Sequence, residues 1–133
     1  MSYASQSSSY RQMEIHAATP ERLVVIVFEQ LVVSLERARM AMQRKDIELR
    51  VVSLGRARSL VSELLATLDL DQGGPLANQL ADLYQFMLVE LVDVGARQDI
   101  VMLGRLIAVA SSLRDGFVGA AEQLGAARRK SAA

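Results

Sequence analysis

An all-α fold, an antiparallel up-down four-helix bundle with a flexible N-terminal arm, is predicted by three features of the sequence. Apolar residues recur at three- and four-residue steps along almost its whole length, which is the spacing that lines up one face of an α-helix. Only 5% of the residues are aromatic and only two are proline, whereas sheets favour aromatic and β-branched residues broken by frequent turns. Helix-starting and helix-stopping residues then divide the chain into four stretches of similar length.

The first stretch opens with Thr19 as N-cap, Pro20 where no N–H is needed, and Glu21 at the positive end of the helix dipole. It is expected to run to about Lys45, burying Val24, Val27, Phe28, Leu31, Leu35, Ala38 and Met42. Asp46 can cap a second helix whose face is Ile47, Leu54, Ala57, Val61, Leu64, Leu65 and Leu68. Gly73-Gly74-Pro75 is the clearest break, since glycine tolerates positive φ and proline pre-sets the first turn of the next helix. A third helix over 75–94 presents Leu76, Leu80, Leu83, Tyr84, Met87, Leu91 and Val94, with Gly95 as its terminator. Asp99 is placed to cap a fourth, with Met102, Leu106, Ala110, Leu113, Phe117, Ala120 and Leu124 in line. Helices of roughly 20–26 residues, each about 30–39 Å long at 1.5 Å per residue and joined by short connections, pack antiparallel. The expected organisation is an arm over 1–18, the bundle over 19–125 and a disordered basic tail over 126–133.

Composition narrows the function. The chain has 133 residues, 51% of them hydrophobic, enough for one substantial core and too few for two domains. It contains no cysteine, which excludes disulfides, zinc-thiolate sites and thiol catalysis and fits a reducing cytoplasm. Lys+Arg and Asp+Glu both number 15, and Arg128-Arg129-Lys130 is the one single-signed run, so no nucleic-acid surface is expected. The N-terminus lacks the basic start and apolar core of a signal peptide, and charges interrupt every long apolar run, so membrane insertion is not expected. His16 is the only histidine and stands ahead of the first helix. Glu14-Ile15-His16 is not the Glu-x-x-His spacing of a di-iron bundle, Gly73-Gly74 lacks the lysine of a phosphate loop, and Ser111-Ser112 has no base partner. No enzyme, metal or cofactor is expected.

Apolar residues nevertheless exceed what four core faces require. Ile26, Val33 and Met40 repeat every seven residues nearly opposite the core stripe of the first helix, among Arg22, Glu29 and Glu36. A stripe so placed calls for a further occupant, whether a folded-back arm, a client or a second subunit. Leu88, Val89 and Val92 lie off the core arc of the third helix, and Ile100 and Ile107, with Val118, flank that of the fourth. Lateral positions of a bundle can also be core edge, because each helix touches two neighbours. Ahead of Thr19, the serine-rich start gives way to Tyr10, Met13 and Ile15, which either anchor an arm or extend and staple the first helix.

Several spaced residues resemble the FliS family, the flagellin-specific secretion chaperones of the bacterial flagellum. The resemblance runs from about Tyr10 to Phe117. It rests on Tyr10, then Ala18-Thr19-Pro20-x-x-Leu23, then Ala57 with Leu64 and Leu68. Its most specific piece is Gly73-Gly74-x-Leu76-Ala77-x-x-Leu80-x-x-Leu83-Tyr84-x-Phe86-Met87-x-x-x-Leu91, followed by Asp99 and Leu113-Arg114-Asp115-x-Phe117. The chain departs from the family pattern at Gln79 and Gly95, where asparagine is usual, at Phe117, where tryptophan is usual, and at Val89, which replaces a basic residue.

The resemblance implies a cytoplasmic helical chaperone, monomeric or weakly dimeric, that binds the C-terminal segment of newly made flagellin. Capping that disordered segment blocks premature polymerisation and presents the client to the flagellar export gate. It further implies an arm that lies over part of the client groove, with Tyr10, Met13 and Ile15 as displaceable anchors. Ile26, Val33, Met40, Leu88, Val89, Val92, Ile100 and Ile107 complete the expected client surface. The competing expectation is a self-assembling bundle in which Ile26, Val33 and Met40 pair with their own copy.

Overall fold

The computed structural model describes residues 18–132. Within them lie four helices: α1 (Pro20–Arg44), α2 (Ile47–Ala66), α3 (Gly74–Arg97) and α4 (Ile100–Ala132). Three of the starts are set by the expected caps. The Arg22 N–H donates to Thr19 Oγ1 at 3.3 Å, Leu49 N–H to Asp46 Oδ1 at 3.0 Å and Met102 N–H to Asp99 Oδ1 at 3.0 Å. Each cap satisfies a donor that the helix itself leaves without a partner.

The connections are short, so successive helices fold back on one another as an antiparallel up-down bundle. α1 packs chiefly against α2 and α4, while α3 lies on α2 and meets α4 less extensively. α1 and α3 are therefore diagonal. Between them run Phe28, Leu31, Leu35, Leu54, Leu60, Val61, Tyr84, Met87, Leu91, Leu103 and Leu106, all essentially without solvent contact. Phe28 reaches two other helices: its ring centroid is 5.1 Å from that of Phe117 and 6.4 Å from that of Tyr84.

Two boundaries differ from the sequence expectation. α3 does not stop at Gly95 but continues to Arg97, and its left-handed closing residue is Gln98, with φ 53°. Gly95 instead permits close approach of α3 to α2, because a Cβ there would sit 3.3 Å from Leu54 Cδ1. The run from 126 onward, expected to form a disordered tail, continues α4 to Ala132. Alanine, arginine and lysine are strong helix formers, cations suit a helix C-terminus, and the Arg128 guanidinium pairs with the Glu21 carboxylate. At the other turn the expectation holds: Gly74 has φ +64°, and a Cβ on Gly73 would lie 2.4 Å from the Asp69 carbonyl oxygen.

Candidate functional site

The outward stripe of α1 is present and open. Val33 is 47% exposed and Met40 40%, with Ile26 half-buried one repeat earlier. Charged side chains border the stripe and pair along the same helix, Arg22 Nη2 with Glu29 Oε1 at 3.4 Å and Arg39 Nη2 with Glu36 Oε2 at 2.6 Å.

On α3, Val89 is 67% exposed and Val92 is exposed beside it, whereas Leu88 is half-buried against the core. On α4, Ile100 is at the margin of exposure. Ile107, expected beside it as a flank, is only 6% exposed and lies among the core residues, because α4 turns that side toward its neighbours. Tyr10, Met13 and Ile15 fall outside the described residues. The structure thus does not assemble the expected surface into one floor. α1 and α3 are diagonal, so their outward stripes face different sides of the bundle.

A further set of exposed apolar residues lies at one end of the bundle. Antiparallel packing brings the C-terminal ends of α1 and α3 to the same end of the bundle as the starts of α2 and α4. Within about two turns of that end, Met40, Ile47, Val51, Val52, Val92, Ile100 and Val101 are all exposed. Ile47, Val51, Val52 and Val101 escape a helix-by-helix reading of the sequence. Their signal is topological: only after the helices are folded back do these residues fall on one end.

The arrangement holds no concentrated charge and no convergent titratable cluster, and among the described residues no three His, Cys, Asp or Glu side chains come together to hold a metal ion. No helix among them is long and apolar enough to cross a membrane. What the surface can do is lay apolar side chains against those of an amphipathic segment.

The sequence profile described as "Flagellar protein FliS" matches residues 2–124. Among curated proteins, the chain is 31% identical over 114 residues to the flagellar secretion chaperone FliSB of Pseudomonas aeruginosa, covering 83% of this chain and 90% of that protein. It is 30% identical over 94 residues to the flagellar secretion chaperone FliS of Campylobacter jejuni, covering 69% and 73%, and 25% identical over 119 residues to that of Salmonella typhimurium, covering 86% and 88%. A solved crystal structure of a flagellar chaperone from bacteria superposes with a TM-score of 0.73 over 90% of this chain and 98% of that one. At 17% identity it shows a shared fold.

Proposed function

The chain belongs to the FliS family of flagellar proteins, and from that premise we propose that it is a cytoplasmic flagellar secretion chaperone for the C-terminal segment of flagellin. FliS is a family of chaperones, not of enzymes. In this reading the chaperone holds the disordered client segment in helical form, blocks its premature polymerisation and presents it to the export gate.

The observation that carries the reading is the set of exposed apolar side chains: Val33 and Met40 on α1, Val51, Val52 and Ile100 at one end of the bundle, and Val92 and Val89 on α3. A rigid client helix would cover one side of a bundle. A disordered segment can instead wrap it, meeting both outward stripes and the end between them. Residues spaced i, i+3, i+4 and i+7 on each client helix would seat among these side chains. Ordering the client offsets much of the gain from burial, which keeps the complex releasable. Tyr10, Met13 and Ile15 act as intramolecular stand-ins for client side chains, weakly held at high effective concentration and displaced when flagellin binds.

Isothermal titration of the intact chain, and of a chain beginning at Thr19, with the flagellin C-terminal segment tests the proposal. Binding with a large negative heat-capacity change supports coupled folding on an apolar surface. Tighter binding by the shorter chain identifies the arm as a competitor, and weaker binding makes it part of the site. No binding by either overturns the assignment.

A further inference from the structure

The two halves of α4 are held in different ways. Its buried residues, Leu103, Leu106, Ile107 and Ala110, all lie in the first half, and Phe117 is the last side chain packed on the core. With 33 residues α4 is about 50 Å long, against about 38 Å for the 25 residues of α1. Its last turns lie along the start of α1. Between them is a cleft of about 350 Å³ that Val25, Val118, Ala121 and Gly125 line together with Arg22 and Glu122. Leu124, in these turns, is exposed.

Half-buried Val118 and Ala121 border the fully enclosed Val25, and one polar contact adds to that packing. Arg128 grips the Glu21 carboxylate with both terminal nitrogens, Nη1 on Oε1 and Nη2 on Oε2 at 3.2 Å. Among the described residues it is the one ion pair that joins two helices, the others linking neighbours on the same helix. The Glu21 carboxyl is held below its usual pKa, first by a hydrogen bond from its own backbone N–H and further by Arg128, so the pair is charged at neutral pH. The junction between the two halves is itself weak. Gly116 and Gly119 interrupt the helix with its poorest non-proline former, yet a Cβ at either would meet nothing within 4 Å. No neighbour requires glycine there.

We infer that residues 118–132 form a strap that swings about Gly116 and Gly119 and is clasped onto the start of α1 by Arg128 and Glu21. Closed, the strap covers Val25 and the first turn of α1. Open, it exposes Val25 and Val118 and unites the cleft with the outward stripe that begins at Ile26. The Arg128 side of the ion pair is open to solvent, which keeps the pair weak and screened by salt, so the clasp yields without loss of the fold. The strap is independent of the identity of the client, because its test reads the chain alone.

The test is hydrogen exchange, resolved by peptide, on the full chain. Expected is faster exchange over 118–130 than over 100–113. Arg128→Gln accelerates 118–130 by up to about fivefold, the factor for a bridge at the upper end of the exposed range, and leaves 100–113 unchanged. The charge swap Glu21→Arg with Arg128→Glu restores slow exchange, and Gly116→Ala with Gly119→Ala slows 118–130 with the bridge intact. The inference is overturned if 118–130 exchanges as slowly as 100–113. It is equally overturned if Arg128→Gln changes nothing or accelerates all four helices together. Indifference to the two alanines would remove the hinge.

Discussion

Phe28 on α1 stacks on Phe117 of α4, the first helix on the last, with ring centroids 5.1 Å apart and planes 20° from parallel. Tyr84 of α3 tilts onto the same Phe28 ring at 6.4 Å and 49°. One side chain thus ties three helices together. Phe28→Ala removes both ring contacts and leaves a cavity in a fully enclosed site, at an expected cost of about 3–5 kcal/mol. Urea denaturation followed by circular dichroism measures it, and a cost below about 1 kcal/mol would show that the cluster tolerates the loss.

Val33 gives the opposite expectation. Its side chain is open on the outward face of α1, so Val33→Glu changes folding stability by no more than about 0.5 kcal/mol. If that face receives the client, the same change abolishes binding of the flagellin segment by placing a carboxylate against its apolar side. A melt and a titration on one preparation separate the effects. Equal loss of both would make Val33 a packing residue.

Glycines in the helices divide by what surrounds them. A Cβ added at Gly104 would meet nothing within 4 Å, so Gly104→Ala raises stability by about 1 kcal/mol through helix propensity alone. Gly95→Ala gains the same propensity but forces a methyl to 3.3 Å from Leu54 Cδ1, and Leu54 is enclosed and cannot retreat. Net destabilisation is expected there. Thermal melts of the two variants should move in opposite directions.

How far the sequence discloses the fold can be seen in these residues. Caps at Thr19, Asp46 and Asp99 are local chemistry between residues three apart and are legible directly. The core face of α1 is rotated slightly from the one its periodicity predicts: Val24, Val27 and Met42 are half-buried, while Val25, Val32 and Ala41 are buried. A helical wheel centres a stripe on one partner, whereas α1 is shared between α2 and α4. Ile47 and Leu76, expected in the core, occupy first turns and are exposed. Ala120 and Leu124 are also exposed, because Val118, Ala121 and Gly125 form the side of α4 turned toward α1. Gly95 reads as a terminator because close helix approach has no local signature. The stripe of Val33 and Met40 is readable as surplus, but the exposed end that includes Val51 and Val101 requires the topology.

Burial of Tyr84 has a consequence at alkaline pH. Desolvation pushes its hydroxyl up to about 12 from an ordinary value near 10. The folded state thus holds the proton more tightly than the unfolded chain. Its contribution is complete below about pH 10 and is lost as pH rises toward about 12. Denaturation midpoints across that window should fall in the parent chain and fall less in Tyr84→Phe. Identical profiles would show that Tyr84 ionises without cost.

The proposed function rests above all on a flagellin segment lying on the exposed apolar side chains, and methyl-resolved NMR of the intact chain, titrated with that segment, tests this most directly. Methyl signals of Val33, Val51, Val89, Val92 and Ile100 are predicted to shift together, while that of enclosed Leu35 stays in place. Saturating client with these signals unmoved, or shifts confined to other surfaces, would contradict that placement.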